Sequence, residues 1–169
     1  MEIARAMELF ECDPDEGEVK WKCTGRGSRL DRIAGTTRPD GYRVVNADRE
    51  MMYVHRIVWM FVNGEWPPDE VDHIDGNPSN NRIANLRSAT RQQNAWNSDR
   101  SHLSTTGHPN VTWNSVRQKW EVKIRTSAGR RTIGRFRDLH VAVSERDCAL
   151  SVEHGEFAVV DRSTIGGRA

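Results

Sequence analysis

With 169 residues, the chain suffices for one ordinary domain or two small ones. Its 25 Lys and Arg side chains nearly cancel 24 Asp and Glu, so net charge alone excludes a uniformly basic or acidic protein. Three cysteines, Cys12, Cys23 and Cys148, contain no Cys-x-x-Cys pair, which argues against a disulfide framework and a cysteine-based zinc site.

Charge is unevenly distributed. Seven acidic residues and two basic ones lie between Met1 and Lys20. Between His108 and Arg137 there are eight basic residues against Glu121 alone. Such an asymmetry suggests a local footprint for a polyanion, although a solvated charged face explains the run as well. No segment approaches the roughly 20 apolar residues that span a bilayer. The first residues are acidic where a signal peptide would be basic. A soluble intracellular protein with free thiols is expected, with no membrane partner.

In chain order, Ile3 to Phe10 reads as a short amphipathic helix with Ile3, Met7 and Phe10 on one side. Asp13-Pro14-Asp15-Glu16-Gly17 is a turn signal, and Glu18 to Cys23 alternates as a half-buried strand does. Gly25 to Asp40 reads as loop. Tyr42-Arg43-Val44-Val45 and Met52-Tyr53-Val54-His55 read as two strands, and Arg56 to Asn63 as a helix ended by Gly64. His55 would anchor the start of that helix. Trp66-Pro67-Pro68 forces an extended turn.

A dense polar unit follows. Glu70 to Ile74 is expected as a strand, Asp75-Gly76-Asn77-Pro78 as a tight turn, Asn80 to Asn85 as a loop and Leu86 to Ala89 as a second strand. Thr90 caps a helix running to about Trp96 or Asn97. Ser98 to Asn110, without apolar periodicity, reads as a linker. Then Val111 to Trp113, Lys119 to Arg125 and Arg131 to Phe136 read as three antiparallel strands. In the middle strand Trp120, Val122 and Ile124 would face one side and the charged residues the other. Ser127-Ala128-Gly129 makes a hairpin turn, and Asp138 caps a helix that covers the apolar face and leaves the basic face free. Asp161 to Ala169 reads as a disordered tail. The resulting expectation is an α+β chain: residues 1–97 as a first domain, 98–109 as linker, 110–160 as a sheet-plus-helix domain and 161–169 as tail.

The polar unit holds the parts that phosphodiester hydrolysis needs: a base for water, and oxygens for a cation that takes up negative charge. Imidazole has an unperturbed pKa near neutrality, which suits His73 to the first task. Asp72 and Asn94 offer oxygen, which Mg²⁺ and Mn²⁺ prefer over sulfur. Neighbouring strand residues point to opposite faces, so Asp72 and His73 serve one site only if the strand bends or ends there. Asn85 would bridge the loop and orient His73. Asn80 and Asn81 are expected to satisfy loop backbone. His102, His108, His140 and His154 show no ligand spacing and are expected at the surface.

Asp72-His73-Ile74-Asp75-Gly76-Asn77, Asn80-Asn81-Arg82, Asn85-Leu86-Arg87 and Gln93-Asn94 resemble the HNH nuclease motif in its phage homing-endonuclease branch. Gly41-Tyr42-Arg43-Val44 and Val54 to Trp59 extend the resemblance from about Gly17 to Asn97. It implies a ββα-metal (His-Me finger) fold, one Mg²⁺ or Mn²⁺ ion and cleavage of double-stranded DNA. His73 would be the general base, Asp72 and Asn94 the metal ligands and Asn85 the residue holding loop and base. Many members have His where this chain has Asn94, a departure that disfavours a tight zinc site.

The second half is similar to the apetala/ethylene-response-factor type of DNA-binding domain. Asn110 to Trp113, Lys119 to Ile124, Ile133 to Phe136 and Gly155 to Ala158 carry that similarity. It implies a three-stranded sheet in the major groove, with Trp113, Arg117, Lys119, Lys123, Arg125, Arg131 and Arg135 as contacts and Trp120 in the core. A homing-type endonuclease acting in the cytoplasm of a bacterial host follows, cutting one strand alone or both strands as a homodimer. A non-catalytic DNA-binding regulator on the same scaffold, a structural zinc protein and a host-defence nuclease are the alternatives.

Overall fold

The computed structural model describes residues 1–22, 30–97, 104 and 106–160. The chain divides into two units, Met1–Asn94 and Ala95–Ala169. The expected linker falls mostly outside the described residues, as do Cys23, His102 and the tail.

The first unit begins with α1 (Ile3–Leu9), and the chain straightens at Phe10 into β1 (Phe10–Asp13), paired antiparallel with β2 (Glu18–Trp21). β1 escaped the sequence reading because Phe10 completes the helical spacing, yet it packs as a fully buried strand residue against Trp21. β3 (Thr36–Thr37), β4 (Arg43–Ala47) and β5 (Glu50–Tyr53) form a second antiparallel sheet. Then α2 (Val54–Asn63) starts two residues earlier than its sequence suggests. Val54 and His55 therefore belong to the helix rather than to a strand, because both turn into the core. Gly64 closes α2 in the left-handed region, donating its N–H to Met60 O at 2.9 Å.

The apolar side of α2 supplies Val54, Ile57, Val58 and Met60 to a core that also holds Leu9, Phe10, Val19, Val45, Val71 and Leu86. Burial of this stripe, rather than helix propensity, is what holds α2 in place. Arg56 donates to Asp69 O at 2.9 Å and Pro67 O at 3.3 Å, so the helix also grips the proline turn that leads into the next strand.

That strand, β6 (Glu70–His73), pairs antiparallel with β7 (Leu86–Ala89), and α3 (Arg91–Asn97) follows directly. Thr90 and Gln93 form a reciprocal cap: Thr90 Oγ1 accepts from Gln93 N–H, and Gln93 Oε1 accepts from Thr90 N–H.

The second unit holds β8 (Val111–Asn114), β9 (Lys119–Thr126) and β10 (Gly129–Phe136) in one antiparallel sheet, followed by α4 (Leu139–His154). Asp138 caps α4 by accepting from Val141 N–H at 3.0 Å. Ala142, Val143 and Leu150 of the helix pack on Val111, Val122 and Ile124, with Trp120 and Ile133 at the margin. Among the described residues no helix is long and apolar enough to cross a membrane.

Candidate active site and basic face

β6 alternates strictly. Val71 and His73 share the face that holds Leu86 of β7, because His73 pairs with Leu86 and Val71 with Ser88. Glu70 and Asp72 share the other face with Arg87, the cross-strand partner of Asp72. All three polar residues at the strand end are sheltered: Asp72 is 3% exposed, His73 4% and, from the following loop, Asn81 5%. Burial of groups this polar needs specific partners.

On the first face, His73 Nε2 lies 3.1 Å from Asn81 Oδ1. Its ring also meets His55 of α2 (centroids 5.0 Å apart) and Tyr42 (5.8 Å), and Tyr53 completes the cluster against His55 and Tyr42. His55 is thus a buried ring against the candidate base and not merely an anchor for its helix. Burial, helped by the nearby charges of His73 and Arg56, pushes its imidazole down to about 3, so it is neutral near pH 7. Burial foremost, then Asp40, raises the Tyr42 hydroxyl above its ordinary value, and Asp72 and Glu70 add to the effect. Tyr42 therefore touches His73 while sensing both carboxylates of the other face.

On that other face, Arg87 Nε and Nη2 approach Asp72 Oδ2 at 2.8 and 2.7 Å. Asn94, one turn into α3, donates through Nδ2 to Glu70 Oε2 at 2.5 Å. The helix thus delivers its amide to the side of β6 that carries Asp72. Among the described residues no three His, Cys, Asp or Glu side chains gather as a metal cluster. A cation here would have to use amide as well as carboxylate oxygen, and the Asp72 and Asn94 pair fits a hard ion such as Mg²⁺ or Mn²⁺.

The loop between the strands corrects two expectations. Asn85 does not orient His73 with its side chain. Its Oδ1 accepts from Asp75 N–H at 3.0 Å, and its Nδ2 donates to Asp75 Oδ1 and Asn80 O at 2.9 and 2.8 Å. Asn80 closes the same knot by donating to Asp75 Oδ2 at 2.7 Å. Burial alone would raise the Asp75 carboxyl, but hydrogen bonds from Asn80, the Asn77 backbone and Asn85 outweigh it and hold the group below its ordinary value. Asn85 is the pin of the turn, whose tightness requires Gly76 at φ +73°. Asn81, expected to serve loop backbone, is the side chain that meets the imidazole. Its position directly before Arg82 carried no spacing signal that would have singled it out.

In the second unit, the register places Thr112, Lys119, Glu121, Lys123, Arg125, Arg130, Thr132 and Arg135 on the face opposite Val122 and Ile124. Glu121 sits among these cations, with Lys123 Nζ at 2.6 Å and Arg135 Nε at 2.8 Å. Their hydrogen bonds, Lys123 first, draw its carboxyl below the usual carboxylate value. Arg117 lies in the β8–β9 turn. Trp113 and Arg131 fall on the opposite side: Trp113 pairs with Trp120, and Arg131 with Ile124. His154, expected at the surface, is buried, and its Nε2–H donates to Arg125 O at 2.7 Å.

Residues 52–96 match the family model for HNH endonucleases. Protein 3.8 of Escherichia phage T7 is 35% identical over 105 residues, which cover 62% of this chain and 86% of that protein. An uncharacterized HNH endonuclease of Acanthamoeba polyphaga mimivirus is 44% identical over 59 residues, 34% of this chain and 32% of the relative. A solved structure of DNA binding and cleavage by the HNH homing endonuclease I-HmuI aligns over 91% of this chain and 90% of that one, at 18% identity and a TM-score of 0.43. The chain belongs to the family that includes Protein 3.8 of phage T7, and its residues 52–96 carry an HNH endonuclease domain.

Proposed function

We propose that the protein is a metal-dependent, homing-type DNA endonuclease in which β6, β7 and α3 form the ββα-metal unit. The reading is carried by one observation: Asp72 and His73 are both buried at successive positions at the end of β6, and α3 brings Asn94 to the Asp72 side. His73 is the last residue of β6, and at that end of the ribbon groups from both faces would reach one phosphate.

Asp72 and Asn94 would hold one Mg²⁺ or Mn²⁺ ion. Asn94 would ligate through Oδ1, its Nδ2 being bonded to Glu70. Held there, such an ion would supply positive charge against the charge that builds on the scissile phosphate and its leaving oxygen. His73 accepts a proton from water as the water oxygen bonds to phosphorus and the bond to the bridging oxygen breaks. Asn85 keeps the Asp75–Gly76 turn closed beside the base.

The outer sheet face of the second unit would grip the DNA. Lys119, Lys123, Arg125 and Arg135 stand there with Arg130, and Arg117 extends the cations into the turn. Trp113 and Arg131, on the opposite side, would contribute from the sheet edge or to packing. The expected setting is the cytoplasm of a bacterial host, with double-stranded DNA as partner and nicking by one copy or paired cuts by two.

The deciding experiment is cleavage of a supercoiled plasmid library with and without Mg²⁺, comparing wild type with His73→Ala. Cleavage should require the metal, and the variant should lose about 10² to 10⁴ in rate while retaining DNA binding, the scale of acid–base catalysis. A variant that cuts as fast as wild type removes His73 from the role.

A further inference from the structure

We propose that Asn81 is a positioning residue for His73, setting which ring nitrogen carries the proton, and that the N-terminal β1–β2 turn holds Asn81 in place. The proposal rests on the reading of His73 as the base. Asn81 Oδ1 is an acceptor only, so the imidazole nitrogen 3.1 Å away, Nε2, must carry the hydrogen. The neutral ring is thereby fixed as the Nε2–H tautomer, and its lone pair resides on Nδ1, the atom that would receive the proton of water. His55 and Tyr42 pack against the same ring and oppose its rotation.

What keeps Asn81 there comes from far away in the chain. Gly17, in the β1–β2 turn at φ +69°, lies so close that a Cβ at its position would sit 2.4 Å from the Asn81 carbonyl carbon and 2.5 Å from Arg82 N. Pro14 O in the same turn accepts from Ile83 N–H at 2.9 Å. An exposed Arg82–Glu16 pair at 2.8 Å borders the contact. The backbone from the Asn81 carbonyl to Ile83 is thus pressed against a hairpin that lies outside residues 52–96. The hairpin meets the loop of the site at Asn81, whereas Asn85 acts through the Asp75 turn.

The first test is the ring-nitrogen spectrum of His73 in full-length, metal-free protein labelled with ¹⁵N-histidine. The proton should reside on Nε2. A wild-type ring protonated on Nδ1 overturns the proposal, and this readout needs no variant and no DNA. Asn81→Leu keeps the side chain's shape without the acceptor and should shift the ring toward a mixture of tautomers, whereas Asn81→Asp keeps an acceptor and should preserve Nε2–H. In single-turnover plasmid cleavage with Mg²⁺, Asn81→Leu should lose about 10- to 100-fold in the chemical step, the scale on which partners that orient metal-bound histidines act. Its DNA affinity should be unchanged, and Asn81→Asp should recover most of the rate. Gly17→Ala, with Asn81 intact, should move both readouts in the direction of Asn81→Leu. An unchanged ring and wild-type cleavage in Asn81→Leu, with His73→Ala inactive, would overturn the role of Asn81 and leave the base assignment standing. Wild-type cleavage by His73→Ala would remove the base assignment, and the ring spectra would still decide whether Asn81 sets the tautomer.

Discussion

Replacing Arg87 by Met tests the electrostatic design of the site without touching a proposed ligand. In the native protein the Asp72 carboxylate is 3% exposed, and the Arg87 side chain, 10% exposed, approaches its Oδ2 at 2.7 Å. At that separation and an effective dielectric of about 20, the pair attracts by about 6 kcal/mol before desolvation is subtracted. Met fills similar volume but removes the cross-strand guanidinium from buried Asp72, and breaking a buried pair from one side costs about 3–5 kcal/mol. Urea denaturation at pH 7, with hydrogen exchange along the β6–β7 ladder to localise the effect, should register that loss. The double variant Asp72→Asn/Arg87→Met should regain much of it, because no charge is then left buried. Mn²⁺ should stabilise Arg87→Met more than wild type, since the ion supplies the missing positive charge; at 100 times its Kd a ligand adds about 2.7 kcal/mol. A loss below about 1 kcal/mol, or a double variant as unstable as the single one, would refute the reasoning.

The remaining expectations concern ligands, pH and salt. Asp72→Ala and Asn94→Ala should each displace the Mg²⁺ titration of cleavage to higher concentration, and an unchanged titration removes that residue from the ligand set. His55 is held neutral down to about pH 3 in the folded state, whereas an unfolded histidine takes up its proton near 6.5. The unfolded chain then binds the extra proton, so stability present above pH 6.5 should decline by about 1.4 kcal/mol per pH unit as pH falls below it. His55→Gln should flatten the decline between pH 6.5 and 5 in denaturation curves, and an unaltered slope would show that His55 is not its source. If the outer face of β9 and β10 binds phosphates, Lys119→Ala or Arg125→Ala should each lower the salt slope of DNA affinity by about 0.9. Trp113→Ala should alter the melting of its sheet more than that slope, because Trp113 stands on the side of Trp120.

The sequence by itself carried most of the local elements and the candidate site residues. Period-two alternation marked β9, Gly64 marked the end of α2, and Thr90 marked the start of α3, because these signals act over neighbouring residues. Asp72, His73 and Asn94 stood out because their side chains match a base and hard-metal ligands. The tertiary structure decided which polar groups meet. Asn81 and Asn85, four residues apart and chemically identical, have opposite assignments: one faces the imidazole, the other ties the Asp75 turn. Arg87 found Asp72 through strand register, His55 found His73 through helix packing, and Gly17 found Asn81 across more than sixty positions. Trp113 fell on the side away from the cations because pairing with Trp120, not its aromatic character, fixed its face. Such pairings depend on which surfaces are buried against each other, and that choice of partner is a property of the folded chain that no local pattern encodes.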